Sequence, residues 1–168
     1  PLAMLPLPLV LQKRALLPSL VSGKKIACLA LAEASGHWTC DSIELTAARS
    51  GDGFVLNGQK NFVLDGHVAD VVIVAARQPG TSGAEGIGLF VVDGTASGLQ
   101  RRALDAIDET RKLAELSFNE VSAQALNDAG DAVAAITRTL DDGTIALANE
   151  MVGGAQAPKG KWPDTAAI

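Results

Sequence analysis

Between residues 43 and 64 the chain alternates strand-length runs with tight turns, and no other stretch restricts its fold so strongly. Gly51-Asp52-Gly53 separates Ile43–Arg49 from Phe54–Leu56, and Asn57-Gly58 separates that run from Gln59–Leu64. An Asn-Gly pair suits a type I′ hairpin, because both central residues need positive φ. The spacing therefore predicts successive hairpins in a region with no room for a helix.

Further runs of strand length follow the same rule. Ile26–Ala32 is a compact apolar run, Ala69–Arg77 contains Val71, Val72, Ile73 and Val74, and a Gly/Ser/Pro loop over Pro79–Gly86 leads to Ile87–Val92. Gln100–Ile107 and Leu113–Phe118 complete the series. Many short strands without long helices between them predict an antiparallel barrel or sandwich rather than a parallel α/β sheet.

Helical spacing returns only at the ends. Leu11, Leu16, Leu17 and Leu20 recur at helical intervals before the stop at Ser22-Gly23. From Ala132 to Gln156, Val133, Ile136, Leu140, Ile145, Leu147, Met151 and Val152 predict a long amphipathic helix. Gly143, Gly153 and Gly154 each cost such a helix about 1 kcal/mol relative to Ala, which a close partner helix would explain. The stretch Ala157–Ile168, with Pro158, Gly160 and Pro163, reads as irregular. The expected fold class is α+β: an antiparallel β-barrel or sandwich-like domain flanked by a short N-terminal helix and a long C-terminal helix.

Charge and residue usage remove several functions. A net charge of −5 with scattered Lys and Arg argues against a nucleic-acid backbone as partner. Cys28 and Cys40 form no CxxC or Cys/His group, so neither a zinc site nor a disulfide scaffold is expected. Pro1–Leu11 lacks the basic segment of a signal peptide, and no apolar run approaches the roughly 20 residues of a membrane-spanning helix. A cytoplasmic protein with free thiols is the expectation. Gly83, Gly86 and Gly88 do not make a G-x-G-x-x-G turn, so a Rossmann site is not expected.

The polar stretch Glu33–Asp41 projects past the end of a strand, where ligands often bind. Glu33 and Asp41 fit capping of loop backbone or facing solvent better than paired acid/base work. His37 and Trp38 read as loop residues, and Asp141-Asp142 as a solvated helix face.

In order, Leu17-Pro18-Ser19-Leu20-Val21-Ser22-Gly23, Leu29-Ala30-Leu31-Ala32-Glu33, the segment from Gly51 to Lys60 (GDGFVLNGQK) and Gly98-Leu99 resemble the acyl-CoA dehydrogenase family. Ala69-Asp70, Ala76-Arg77, Leu116–Val121 and Glu150–Gln156 extend the resemblance over about residues 12 to 156. It implies a middle β-domain at 25–122, a remnant of the N-terminal helical domain at 1–24, and the start of the C-terminal helical domain at 123–168. It also implies FAD as cofactor, an acyl-CoA thioester oxidised at a CH–CH bond in fatty acid metabolism, an electron-acceptor flavoprotein, and a homo- or hetero-oligomer.

Carried over position by position, the resemblance assigns flavin binding to Leu29, Leu31, Ala32, Phe62, Val63 and Leu64, and substrate contact to Trp38. The family pattern is altered at each segment. Ala32 stands where a Thr is usual, Ala34-Ser35-Gly36-His37-Trp38 replaces Pro-Gly-Ala-Gly-Ser, and Phe62-Val63-Leu64 replaces Trp-Ile-Thr. Phe62 is equally readable as an ordinary strand aromatic. Asp108–Ala114 departs from an Arg-containing stretch.

The family's catalytic Glu usually falls beyond the position of Ile168. In members that carry it on the first long helix, the match is Gly143, with Asp142 about 100° around the helix. No catalytic residue and no metal ligand is assigned, and the chain is expected to be incomplete and inactive alone. A non-catalytic scaffold or partner subunit, or a non-redox acyl-CoA-binding module, is the alternative.

Overall fold

The computed structural model describes residues 16–107, 110–126 and 132–156. The readings made for Pro1–Leu11 and Ala157–Ile168 fall outside them. Internal contacts divide the chain into a unit ending at Val133 and a second beginning at Ala134.

The first unit is a β-barrel. Its strands are β1 (Ala27–Ala30), β2 (Thr46–Ser50), β3 (Gly53–Leu64), β4 (Val71–Arg77), β5 (Ile87–Asp93), β6 (Leu99–Ala103) and β7 (Leu113–Ala125). β3 pairs with β2 and β7, β7 with β5 and β6, β5 with β4, and β4 returns to β2, which closes a ring. The ring is mixed rather than purely antiparallel. β1 runs parallel to β4 over Val71–Val74, and β2 meets β4 in parallel at Thr46 and Arg77, while the other pairings are antiparallel. The parallel pairs arise because the β2–β3 hairpin lies between β1 and β4 in sequence, so the connection is a crossover.

The interior is filled by alternating residues, among them Leu56, Val63, Val72, Val74, Phe90, Val92, Leu116, Phe118 and Val121. Phe54 and Phe90 meet edge-on with ring centroids 4.8 Å apart. A 3-10 turn at Cys40–Ser42 carries the loop after β1 back toward the barrel.

Gly51-Asp52 makes the β2–β3 hairpin, with Ser50 opposite Gly53 and Gly51 at φ 57°. The second expected hairpin does not form. Asn57-Gly58 lies inside the single strand β3, at a bulge where Asn119 and Glu120 of β7 oppose Asn57 alone. Gly58 takes φ 135° there, and the side-chain oxygen of Asn57 accepts the backbone N–H of Glu120 at 2.9 Å. The pair thus supplies its unusual backbone geometry to a bulge instead of a reversal.

A second bulge at Asn61-Phe62, both opposite Glu115, restores the original register before Val63 meets Ala114. It also lets Lys60 and Val63, three positions apart, both face inward.

The segment 16–21 is helical and stops at Gly23, which has φ 69°. Helix α1 spans Ala132–Gln156, the range expected from its periodicity. A Cβ added at Gly143, Gly153 or Gly154 meets nothing within 4 Å, so no close helix accounts for these glycines among the described residues. None of the described helices is long and apolar enough to cross a membrane.

Candidate functional site: the seam between β1 and β3

The barrel wall has a seam where no backbone ladder joins adjacent strands. β2 covers β3 only from Gly53 to Asn57, and β1 hydrogen bonds in a ladder with β4 alone. The N–H of Val71 donates to Ile26 O, which sets the parity of that parallel ladder. Cys28 and Ala30 therefore turn their backbone groups to β4, while Leu29 and Leu31 turn theirs to the open edge.

Two bonds to backbone carbonyls cross the seam at one end. Asn61 N–H donates to Ala32 O at 2.9 Å, and Lys60 Nζ donates to Leu31 O at 2.9 Å. They bring residues 29–33 and 60–64 together, the two segments assigned to the flavin from sequence.

Lys60 is the unexpected member of this group. Its side chain is 0% exposed, and Nζ lies 2.6 Å from Glu33 Oε1. Burial pushes its pKa below the ordinary lysine value, opposed by the hydrogen bond and charge of Glu33. Glu33 Oε1 also accepts Leu45 N–H at 3.0 Å, and Oε2 accepts Glu44 N–H at 2.9 Å. The carboxylate is committed to loop backbone and to Lys60, in line with the capping role expected of it. Lys60 was part of the recognised segment, but period-two patterning alone does not separate a buried lysine from a surface one.

Arg77, also buried, was not singled out from sequence as a site organiser. It donates to carbonyl oxygens of Ile43, Glu85, Gly83 and Cys40, tying the end of the 33–43 loop to the loop before β5.

The assigned residues divide by orientation. Phe62 and Leu64 lie on the outside of β3, and Phe62 is 44% exposed with φ 56°. Val63 points into the core at 2% exposure, so only its backbone can face a ligand. Leu31 and Ala32 are buried, and their carbonyls already accept Lys60 and Asn61. Leu29 is half-buried with its backbone on the open edge. Trp38 is 54% exposed on the loop after β1. Beside the crossing bonds, Ser35, His37, Glu44, Gln59 and Asn61 help line a cleft of about 450 Å³.

Open-edge amides facing a bare aromatic and a bare leucine can hold a flat, partly apolar ring with polar rim atoms. That combination fits an isoalloxazine: backbone N–H groups on β1 for its heteroatoms, Phe62 and Leu64 for its face. The hydroxyls usual at positions 32 and 64 are missing. No His/Cys/Asp/Glu group able to hold a metal occurs among the described residues.

Barrel and seam together define the middle domain of a flavoprotein-type dehydrogenase fold. Residues 28–121 match the family described as "Acyl-CoA dehydrogenase, middle domain", and the chain belongs to the acyl-CoA dehydrogenase family. A mitochondrial 2-methylacyl-CoA dehydrogenase of Solanum tuberosum is 32% identical over 154 residues, covering 87% of this chain and 37% of that protein. Butyryl-CoA dehydrogenase of Megasphaera elsdenii superposes with a TM-score of 0.80 at 25% identity, over 93% of this chain and 44% of its own. A glutaryl-CoA dehydrogenase from Mycobacterium smegmatis, solved in complex with FADH2, superposes with a TM-score of 0.61 at 26% identity, over 69% of this chain and 30% of that one. The chain spans less than half the length of each of these relatives.

Proposed function

We propose that this chain supplies the β-domain side of an FAD site in an acyl-CoA dehydrogenase-type oxidoreductase. The carrying observation is the seam, where Asn61 N–H donates to Ala32 O immediately before the half-exposed Phe62. Backbone groups of Leu29, Leu31 and Ala32 bind the ring edge, Val63 contributes backbone alone, and Phe62 and Leu64 cover a face. Trp38 stands over the approach of an acyl-CoA thioester. When bound, the flavin supplies the hydride acceptor for oxidation of a CH–CH bond.

The chain's own residues orient and desolvate. Glu33 is not assigned as the base, because both of its oxygens are engaged by Lys60 and by the backbone N–H groups of Glu44 and Leu45. Residues 1–24, 25–122 and 123–168 are read as N-terminal helical, middle and C-terminal helical portions. Ile145 and Val152 on one side of α1, with Leu147 and Met151 on another, are exposed, which supports assembly with further helices as an oligomer. An electron-acceptor flavoprotein as partner and a cytoplasmic setting, in keeping with two free cysteines, complete this reading.

Ala32 and Leu64, apolar where hydroxyls are usual, favour a second reading as a non-catalytic partner subunit. FAD titration by flavin fluorescence quenching separates the two, with Phe62→Ala as control. Saturable binding weakened by that change supports the flavin site. Absence of binding to the unaltered chain at high flavin concentration moves the assignment to the partner subunit, and retention on immobilised CoA without flavin to a non-redox binding module.

A further inference from the structure

A lysine with no exposed surface is an expensive way to fill a barrel end. An apolar side chain of similar length would avoid the loss of hydration that a buried ammonium and carboxylate suffer. The position of the pair is informative. Lys60 is the last residue of β3 in register before the bulge, and Phe62 follows it by two. Between Lys60 and Val63 the ladder to β7 is interrupted, so pairing with β7 does not set the attitude of Phe62. Besides the ladder position of Lys60 opposite Leu116, the near side of the bulge is held by the Lys60 side chain on Leu31 O and Glu33, together with Asn61 N–H on Ala32 O. Glu33 carries the link onward through the N–H groups of Glu44 and Leu45, where the loop bearing Trp38 rejoins the barrel.

We propose that Lys60 and Glu33 form a positioning pair. They lock the β1 loop to the β3 bulge, so that Phe62 and the open edge of β1 keep the mutual geometry a planar ligand needs. The inference rests on the flavin reading for the identity of that ligand. The mechanical coupling stands on the hydrogen bonds alone.

The charge balance is local. Among the described groups that face Lys60, Glu33 is its carboxylate partner and Leu31 O its carbonyl partner. Losing the ammonium leaves Glu33, with a side chain only 11% exposed, without a countercharge. The strain then passes to both the loop and the bulge.

The test compares Lys60→Met with Val92→Ala, a core truncation on β5 outside the seam, in the full chain at a temperature where both are folded. Amide exchange at Glu44, Leu45 and Asn61 is read first without flavin. We expect Lys60→Met to accelerate it roughly tenfold more than Val92→Ala does, because only the former removes the local lock. FAD affinity is read second, and it should fall roughly tenfold with Lys60→Met and stay near the unaltered value with Val92→Ala. A changed circular dichroism band of bound flavin should accompany the loss. Glu33→Gln, which breaks the pair from the other side, must reproduce both effects and replaces Lys60→Met if that variant does not fold.

Equal exchange in the pair variants and the control overturns the positioning role, as does unchanged affinity and spectrum in a chain that binds FAD. If the unaltered chain binds no FAD, the flavin reading fails and the exchange comparison alone decides the coupling.

Discussion

Arg77 Nε donates to the carbonyl oxygen of Ile43 at 2.7 Å, and the rest of the guanidinium reaches Gly83 O at 2.6 Å, Glu85 O at 3.0 Å and Cys40 O at 3.4 Å. Each of these partners is a backbone carbonyl. The charge is thus spread over loop dipoles rather than matched by a carboxylate, and one side chain joins two loops that share no ladder. Arg77→Lys keeps the charge but replaces a five-donor fork with a single ammonium. The expected loss is about 1–3 kcal/mol, since the buried carbonyl of Ile43 is left unpaired while those of Cys40, Gly83 and Glu85 are only partly buried. Urea unfolding measures it, and a loss below about 1 kcal/mol would show that water replaces the guanidinium without strain.

Gly58→Ala should be among the most damaging single changes in the barrel. At φ 135° an L side chain is strained, and its Cβ would stand 3.0 Å from both Cα and Cγ of Leu45. Backbone strain and the clash together should cost about 2–4 kcal/mol. The neighbouring Asn57→Ala, which removes only the acceptor for Glu120 N–H, should cost about 1 kcal/mol. Thermal unfolding of the two variants gives the ranking, and the reverse order would mean that the bulge is held by Asn57 rather than permitted by Gly58.

The strands were legible as short apolar runs bounded by turn residues, and in β4 and β5 nearly every residue of the run is buried. Helix α1 was legible from its 3.6-residue spacing. Asn57-Gly58 misled because a hairpin and a bulge ask for the same backbone freedom. Only the partner strand decides between them, and here β7 supplies Asn119-Glu120 opposite Asn57. The parallel pairing of β1 with β4 was hidden for a related reason: Ile26–Ala32 carries no mark of which neighbour it joins. At the seam, Leu29, Leu31 and Phe62 were named from family resemblance, but the inward turn of Val63 and the burial of Lys60 depend on the bulge between them. A one-residue offset in β3 is invisible to periodicity, yet it decides which side chains a ligand could meet.

The buried thiol of Cys28 should make alkaline stability measurable. Burial is the main cause that raises its pKa from 9.0 to about 11, with Arg101 acting against it. Between those values the unfolded thiol ionises while the folded one stays protonated, so the folded state binds more protons and stability falls as pH rises. Below pH 9 the effect vanishes. The loss across the window should reach about 2–3 kcal/mol, and Cys28→Ala should remove it. Lys60 acts with opposite sign, because its lowered pKa makes folding more favourable as pH rises toward the ordinary lysine value. The comparison of Cys28→Ala with the unaltered chain isolates the thiol, and parallel pH profiles for the two would refute its contribution.

Phe62 sets stability against binding. An aromatic residue at φ 56° bears a left-handed backbone cost of about 1–2 kcal/mol. The residue is 44% exposed, so its ring recovers only part of what a core phenylalanine would in exchange. Phe62→Asn, a residue that tolerates this backbone region, should leave the melting temperature unchanged or raise it by a few degrees, about what ~0.5–1 kcal/mol produces in a domain of this size. Phe62→Ala keeps the strained backbone and loses the ring, so it should be the less stable of the two. Both should weaken FAD, since both remove the wall beside the open edge of β1. The divergence of melting temperature from affinity is the discriminating result. A Phe62→Asn chain that melts well below the unaltered one would show that the ring is needed for folding, and its exposure would no longer count toward a ligand.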